Sequence, residues 1–201
     1  MTIRIADWVD SQPRWRVVVV GYIIFASLYG VSNNISFVEA REIPFLLGEE
    51  RIPFVLWTML VYLSVIGQIM WGFLSLRNGR FGRAVAVAFF LVLAHVAVFL
   101  VYPTVLHRTH EVVGHDWLVW GYGVMCAVDK PANCFPSLHV SMAIFTAFVL
   151  QRESRVRGLL FFLWALIIAV TTLTTKQHYL LDVLGGGVTA TIAYLVYRRG
   201  L

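Results

Sequence analysis

Residues 84–106 read AVAVAFFLVLAHVAVFLVYPTVL, 23 consecutive positions without a Lys, Arg, Asp or Glu. A helix crossing the hydrocarbon core of a bilayer needs roughly 20 predominantly apolar residues, so this run alone places the chain in a membrane. Working outward from it, comparable apolar stretches lie near 15–38, 53–76, 137–151, 157–175 and 178–197. The expected fold is all-α: a polytopic membrane protein, a bundle of six transmembrane helices forming one membrane-embedded domain over 1–201. Composition agrees. Of the 201 residues 59% are hydrophobic and only 13% charged, and the mean hydropathy of +0.77 excludes an ordinary soluble domain.

The run at 15–38 follows Arg14 and Arg16, the outline of a signal peptide. It is too long and lacks a small-residue cleavage site, so it reads as a retained helix. Ahead of it, Ile3, Ile5, Trp8 and Val9 alternate with Arg4, Asp7 and Asp10. That pattern suits either a short helix in the membrane interface or a frayed polar terminus. Residues 116–128 are apolar but short and carry Gly121 and Gly123, which suits an interfacial or re-entrant segment better than a span.

A net charge of +5 raises nucleic acid as a partner, but the basic residues do not cluster with aromatics on a soluble face. Their spacing answers to topology instead. With the N-terminus inside and six spans, eleven of the sixteen Lys and Arg residues fall on inside segments, among them Arg77, Arg80, Arg83, Arg152, Arg155 and Arg157. Only Arg41, Arg51, Arg108, Lys130 and Lys176 lie outside. The positive-inside rule then puts both termini in the cytoplasm.

On that topology three distant segments deliver ionisable groups to one outer membrane level. Arg108 follows the third span, Ser137 and His139 open the fourth, and Lys176, His178 and Asp182 open the sixth. Polar groups in a membrane are costly and point to function. Two helix N-termini at the same level add unpaired N–H groups and positive dipole ends, which favour an anion such as phosphate. Ser137 suits an N-cap as well as a phosphate contact. His178 and Asp182, four apart, would share one helix face, where the carboxylate can hold one imidazole nitrogen protonated and leave the other a lone pair. An i,i+4 pair of this kind can also do no more than satisfy two buried polar groups.

Other polar residues have simpler readings. His95, Gln68, Asn33 and Asn34 suit interhelical hydrogen bonding, and Gly185, Gly186 and Gly187 suit close helix packing. Trp117, Trp120 and Tyr122 suit interfacial anchoring. The series His107, His110, Glu111, His115 and Asp116 matches no firm metal-ligand spacing. Cys126 and Cys134 can be a disulfide or two free thiols.

Two motifs carry a family likeness. Pro136-Ser137-Leu138-His139 and the run from His178 to Gly186, HYLLDVLGG, resemble the second and third signature motifs of the type 2 phosphatidic acid phosphatase (PAP2) superfamily, in order and separation. Residues 129–135, DKPANCF, and 174–179, TTKQHY, resemble more narrowly the branch of inositol phosphorylceramide synthases and related bacterial proteins. The first motif departs: Arg108 is followed by Thr109, and Val101 stands where the family has a lysine. Thr171-Thr172 replaces the Ser-Arg that usually begins the third motif.

The resemblance implies a six-helix fold in a bacterial cytoplasmic membrane, with the site at the extracytoplasmic face. It implies His178 as a nucleophile forming a phosphohistidine, Asp182 orienting it, and His139 protonating the leaving oxygen. Arg108, Lys176 and Ser137 would hold the phosphate, with Lys176 supplying the lost cation. Neither metal nor cofactor is required. The substrate implied is a lipid phosphate among membrane lipids, with no nucleic acid and no oligomeric state specified. Hydrolysis and transfer to an alcohol share this chemistry, and a non-catalytic anion-binding protein or transporter stands as the alternative from another class.

Overall fold

The structure, a computed structural model, describes residues 5–35, 37–106, 108, 112 and 116–200. These residues are mostly helical. Eight α-helices follow in order: α1 (Ile5–Asp10), α2 (Arg14–Ser32), α3 (Thr58–Leu74), α4 (Phe81–Val101), α5 (Trp117–Val128), α6 (Leu138–Gln151), α7 (Arg155–Thr174) and α8 (Leu180–Arg199). Two short strands, β1 (Arg41–Glu42) and β2 (Thr104–Val105), pair in parallel.

Four helices, α2, α4, α7 and α8, are long and apolar enough to cross a membrane. This is consistent with an integral membrane protein, where the backbone must satisfy its own hydrogen bonds and helices are the economical solution. The other two expected spans are shorter: α3 has 17 residues and α6 has 14. Shortness has a visible reason in α6, which is the central helix. It packs against α7, α8, α3 and α4, and most of its residues are buried, so protein rather than lipid surrounds it. By contrast α2, at the edge, buries only Ser32 fully.

Helix ends differ from the sequence expectation where local chemistry stops the helix. α4 ends at Val101 rather than near 106, because Pro103 disfavours helix at the residue before it and cannot donate a backbone bond. Lys176 adopts φ of +55° between α7 and α8, a left-handed conformation that interrupts the helix, so α8 begins at Leu180 and leaves His178 outside it. α1 is a helix whose Val9 joins the main core. The Asp10 carboxylate accepts the Gly79 and Gly82 N–H groups at 2.8 and 3.0 Å, tying α1 to the start of α4.

Glycine sets two close approaches. A Cβ on Gly72 would lie 2.2 Å from Thr146 Cγ2, so α3 meets α6 there without a side chain between. A Cβ on Gly186 would lie 2.7 Å from the Ser137 carbonyl, and one on Gly185 would lie 2.7 Å from the Phe135 ring. The glycine run therefore packs α8 against the start of α6, as its small residues predict.

The polar loops sort to two ends. At one, Arg14 reaches Asn78 at 2.5 Å and Glu153 pairs with Arg77 and Arg80, each at 3.3 Å. At the other, Val55 N–H donates to Thr174, Leu106 N–H to Pro131 and Ser137 N–H to Asp182. The second end holds the residues predicted to carry chemistry.

Candidate functional site

Ser137 opens α6 as its N-cap, with Oγ accepting the Val140 N–H at 3.4 Å. Its own N–H donates to the Asp182 carbonyl at 3.0 Å. One backbone bond thus joins the beginnings of α6 and α8, the two helices that carry the predicted histidines. The capping role of Ser137 is the one its contacts display.

Asp182 is completely buried. Its Oδ2 accepts the Tyr179 N–H at 2.8 Å and faces His178 Nδ1 at 3.3 Å. The pair expected from i,i+4 spacing is present, but the helix-face argument is corrected: His178 precedes α8, and its N–H donates to the Thr172 carbonyl at 3.2 Å. Carboxylate contact at Nδ1 places the imidazole proton there and leaves Nε2 with its lone pair. His178 is only 6% exposed. His139, on the first turn of α6, lies with its ring centroid 5.9 Å from that of His178, the two planes at 62°. The structure therefore brings together the three residues expected to be catalytic.

Arg108 approaches from the other side of the loop cluster. Its Nη2 donates to the Asp129 carbonyl at 2.6 Å and to Gln177 Oε1 at 2.5 Å, one residue from His178, while Nη1 reaches the Cys126 carbonyl at 3.3 Å. Among the described residues, Arg108 Nε and Asp182 Oδ1 are buried polar atoms without a hydrogen-bond partner. Such atoms are uncommon because each forfeits its hydration. A cleft of about 360 Å³ beside Arg108 is otherwise lined by Val112, Val119, Tyr122, Gly123 and Cys126, one cation against largely apolar walls.

Lys176 sits apart from this group in its contacts. Nζ donates to the Ile52 carbonyl at 2.6 Å. Burial lowers its pKa, opposed by nearby Glu49. Glu49, which sequence reasoning passed over, is buried. It accepts the Leu46 N–H at 2.8 Å and the Leu180 N–H at the first residue of α8, where a negative charge complements the helix dipole.

Three further residues were not anticipated as site residues. Asp129 receives the Tyr29 hydroxyl at 2.6 Å and the Tyr62 hydroxyl at 3.0 Å, and Tyr62 Oη lies 3.2 and 3.3 Å from the two His139 ring nitrogens. Two signals were available: Asp129 directly follows the apolar run at 117–128, and it heads the DKPANCF run that carries part of the family likeness. Tyr62, in the first turns of α3, gave no signal in a sequence dense with aromatics.

The remaining expectations resolve locally. His95 is satisfied, Nδ1 against the Leu91 carbonyl at 2.8 Å and Nε2 against Ser141 Oγ at 2.9 Å. Gln68 Nε2 donates to the Phe161 carbonyl at 3.0 Å. Trp117 and Trp120 are exposed, as anchors should be. Tyr122 is buried instead, packing with Met59, Tyr62 and Met125 and donating to the Thr175 carbonyl at 3.2 Å. Both cysteines are free thiols, and burial foremost, with Asp182 and Asp129 adding, pushes the Cys134 thiol pKa up. His107, His110, Glu111 and His115 lie outside the described residues. Among the described residues no three His, Cys, Asp or Glu side chains group as metal ligands.

A paired imidazole with a free lone pair, a second imidazole close to it and a guanidinium with an unused N–H are groups that can carry out phosphoryl transfer by way of a nucleophilic histidine. A search of curated proteins finds no match to the chain. A family model described as the PAP2 superfamily matches residues 50–196, which include α3 to α7, most of α8 and every predicted site residue. That membership suggests a phosphatase or phosphotransferase type of enzyme. By the extent of that match, the chain belongs to the PAP2 superfamily.

Proposed function

We propose that the protein transfers the phosphoryl group of a lipid phosphate through a phosphohistidine on His178. The observation that carries this reading is the facing pair of imidazoles, with one of them held at Nδ1 by buried Asp182. In the first step His178 Nε2 attacks phosphorus, a P–N bond forms, the P–O bond to the lipid breaks, and the departing oxygen takes a proton from His139. In the second, water or an alcohol attacks phosphorus, gives its proton to His139 and displaces His178. Arg108 Nε is poised to bind a non-bridging oxygen, and the apolar cleft beside it suits the lipid body. Ser137 and Lys176 support the site through the start of α6 and the neighbouring loop.

The topology belonging to this reading has six spans, α2, α3, α4, α6, α7 and α8, with α5 lying at the interface. Both termini are cytoplasmic and the site faces outward, in a bacterial cytoplasmic membrane. The arginines at the end opposite the histidines support this orientation. Headgroup transfer to an alcohol, as in the inositol phosphorylceramide synthase-like branch, is favoured over hydrolysis by the burial of His178 and Asp182, which limits bulk water at the nucleophile.

The test measures phosphate release and headgroup exchange by purified protein on a panel of lipid phosphates, with His178→Ala alongside. Turnover by wild type that is lost in His178→Ala, together with acid-labile phosphate trapped on wild type alone, is the expected result. Turnover that survives in His178→Ala would overturn the mechanism, and none in either assay would return the protein to anion binding.

A further inference from the structure

We propose that Asp129 is a positioning residue for His139, acting through the hydroxyl of Tyr62. The inference rests on the reading of His139 as the proton donor in the preceding mechanism.

Hydrogen-bond accounting leads to it. A phenol carries one proton. Tyr62 gives that proton to Asp129 Oδ2 at 3.0 Å, so its oxygen can meet His139 only as an acceptor. That oxygen lies 3.2 to 3.3 Å from both ring nitrogens, with the ring centroids 5.0 Å apart. One oxygen cannot lie in line with two N–H bonds, so the contact is with the ring as a whole, and the oxygen's partial negative charge there favours the imidazolium over the neutral imidazole. A phenol that donates to a carboxylate is polarised by it and becomes a better acceptor, so the negative charge is felt at the imidazole without touching it.

Asp129 is held from three directions, its carboxylate from two of them. Tyr29, in the last turns of α2, donates to Oδ1 at 2.6 Å, Tyr62 of α3 donates to Oδ2, and Arg108 grips the Asp129 backbone carbonyl at 2.6 Å. Tyr62 is itself only 2% exposed. Two phenols committed to the two oxygens of one carboxylate leave Asp129 little freedom, and its charge stays directed toward Tyr62. The same residue also ties α2 and α3 to the end of α5, so a staple without chemical influence is the alternative to be excluded.

The two roles separate on the leaving group. An alkyl lipid phosphate needs a proton on the departing oxygen, whereas 4-nitrophenyl phosphate releases a stable anion unaided. Asp129→Asn keeps the shape and one acceptor. We expect it to lower the first-turnover rate on the alkyl substrate about 10- to 100-fold, with the half-saturating concentration little changed and the first-turnover burst of nitrophenolate within about threefold of wild type. His139→Gln is measured in parallel as the reference: its first-turnover loss should be larger on the alkyl than on the nitrophenyl substrate, while its steady-state turnover falls on both, because the second step also uses His139. Equal losses on both substrates in Asp129→Asn, with His139→Gln selective, would leave Asp129 a staple and overturn the proposal alone. A first turnover lost equally on both substrates in His139→Gln would overturn the proton-donor reading and this proposal together.

Nitrogen NMR of histidine-labelled protein provides a readout independent of turnover. The His139 signals, assigned by their loss in His139→Gln, should move in Asp129→Asn and in Tyr62→Phe. Unmoved signals in both would sink the proposal whatever the rates, and Tyr62→Phe carries the same substrate comparison if Asp129→Asn fails to fold.

Discussion

Asp182 does two jobs with one oxygen: Oδ2 accepts the N–H that starts α8 and faces His178 Nδ1. Asp182→Asn should retain the first contact and disturb the second, since a primary amide cannot stabilise an imidazolium as a carboxylate does. A loss of activity of about 10²-fold or more with a nearly unchanged melting temperature is expected; parallel falls in both would show that its role is structural. Ser137→Ala should behave in the opposite manner, costing about 1 kcal/mol through the lost cap and little rate beyond that, as read by thermal unfolding against turnover. The His178–Asp182 pair was legible in the sequence from spacing alone, although the helix face invoked for it is absent. Asp129 and Tyr62 were not legible, because a carboxylate clasped by phenols from two remote helices leaves no periodic trace.

Between elements, contact distances decide what substitution the fold accepts. Gly72 leaves no space for a methyl group beside Thr146 Cγ2. Gly72→Ala should destabilise the protein by about 1–3 kcal/mol through overpacking. Thr146→Ser removes the opposing methyl and keeps the hydroxyl that donates to the Met142 carbonyl at 2.8 Å, so the double variant should recover part of the loss in thermal melts. No recovery would place the strain elsewhere. The apolar runs announced every long helix, because lipid and core both demand such runs. They said less about where helices stop: Pro103 and the left-handed Lys176 trimmed two of them, and the second of these put His178 on a loop.

For the molecule as a whole, the two cysteines report on which groups water can reach. Cys134 is buried with its thiol pKa raised, whereas Cys126 is partly exposed beside the Arg108 cleft. In intact membranes a membrane-impermeant maleimide should label Cys126 and spare Cys134, and the Cys126→Ser variant should go unlabelled. Labelling only after the membrane is opened would invert the proposed orientation. Vanadate, which imitates a phosphoryl group in transit, should inhibit turnover competitively, and failure to do so would count against a phosphohistidine. Span number was harder to read than membrane residence, since a helix enclosed by its neighbours, as α6 is, need not match the bilayer by its own length.

The backbone bond from Ser137 to the Asp182 carbonyl also sets a timetable for the cell. Tyr29 is synthesised early, yet its Asp129 partner is 100 positions later, and Asp182, which faces the proposed nucleophile, arrives only with α8. At roughly 5–20 residues per second, synthesis takes on the order of ten seconds or more to pass from one to the other. Throughout that interval the growing chain carries polar groups whose partners in the finished fold have not yet been made. A ribosome stalled, or a stop codon introduced, between α2 and α8 would thus leave a chain whose polar groups lack their final partners and are exposed to quality control, however complete its earlier helices.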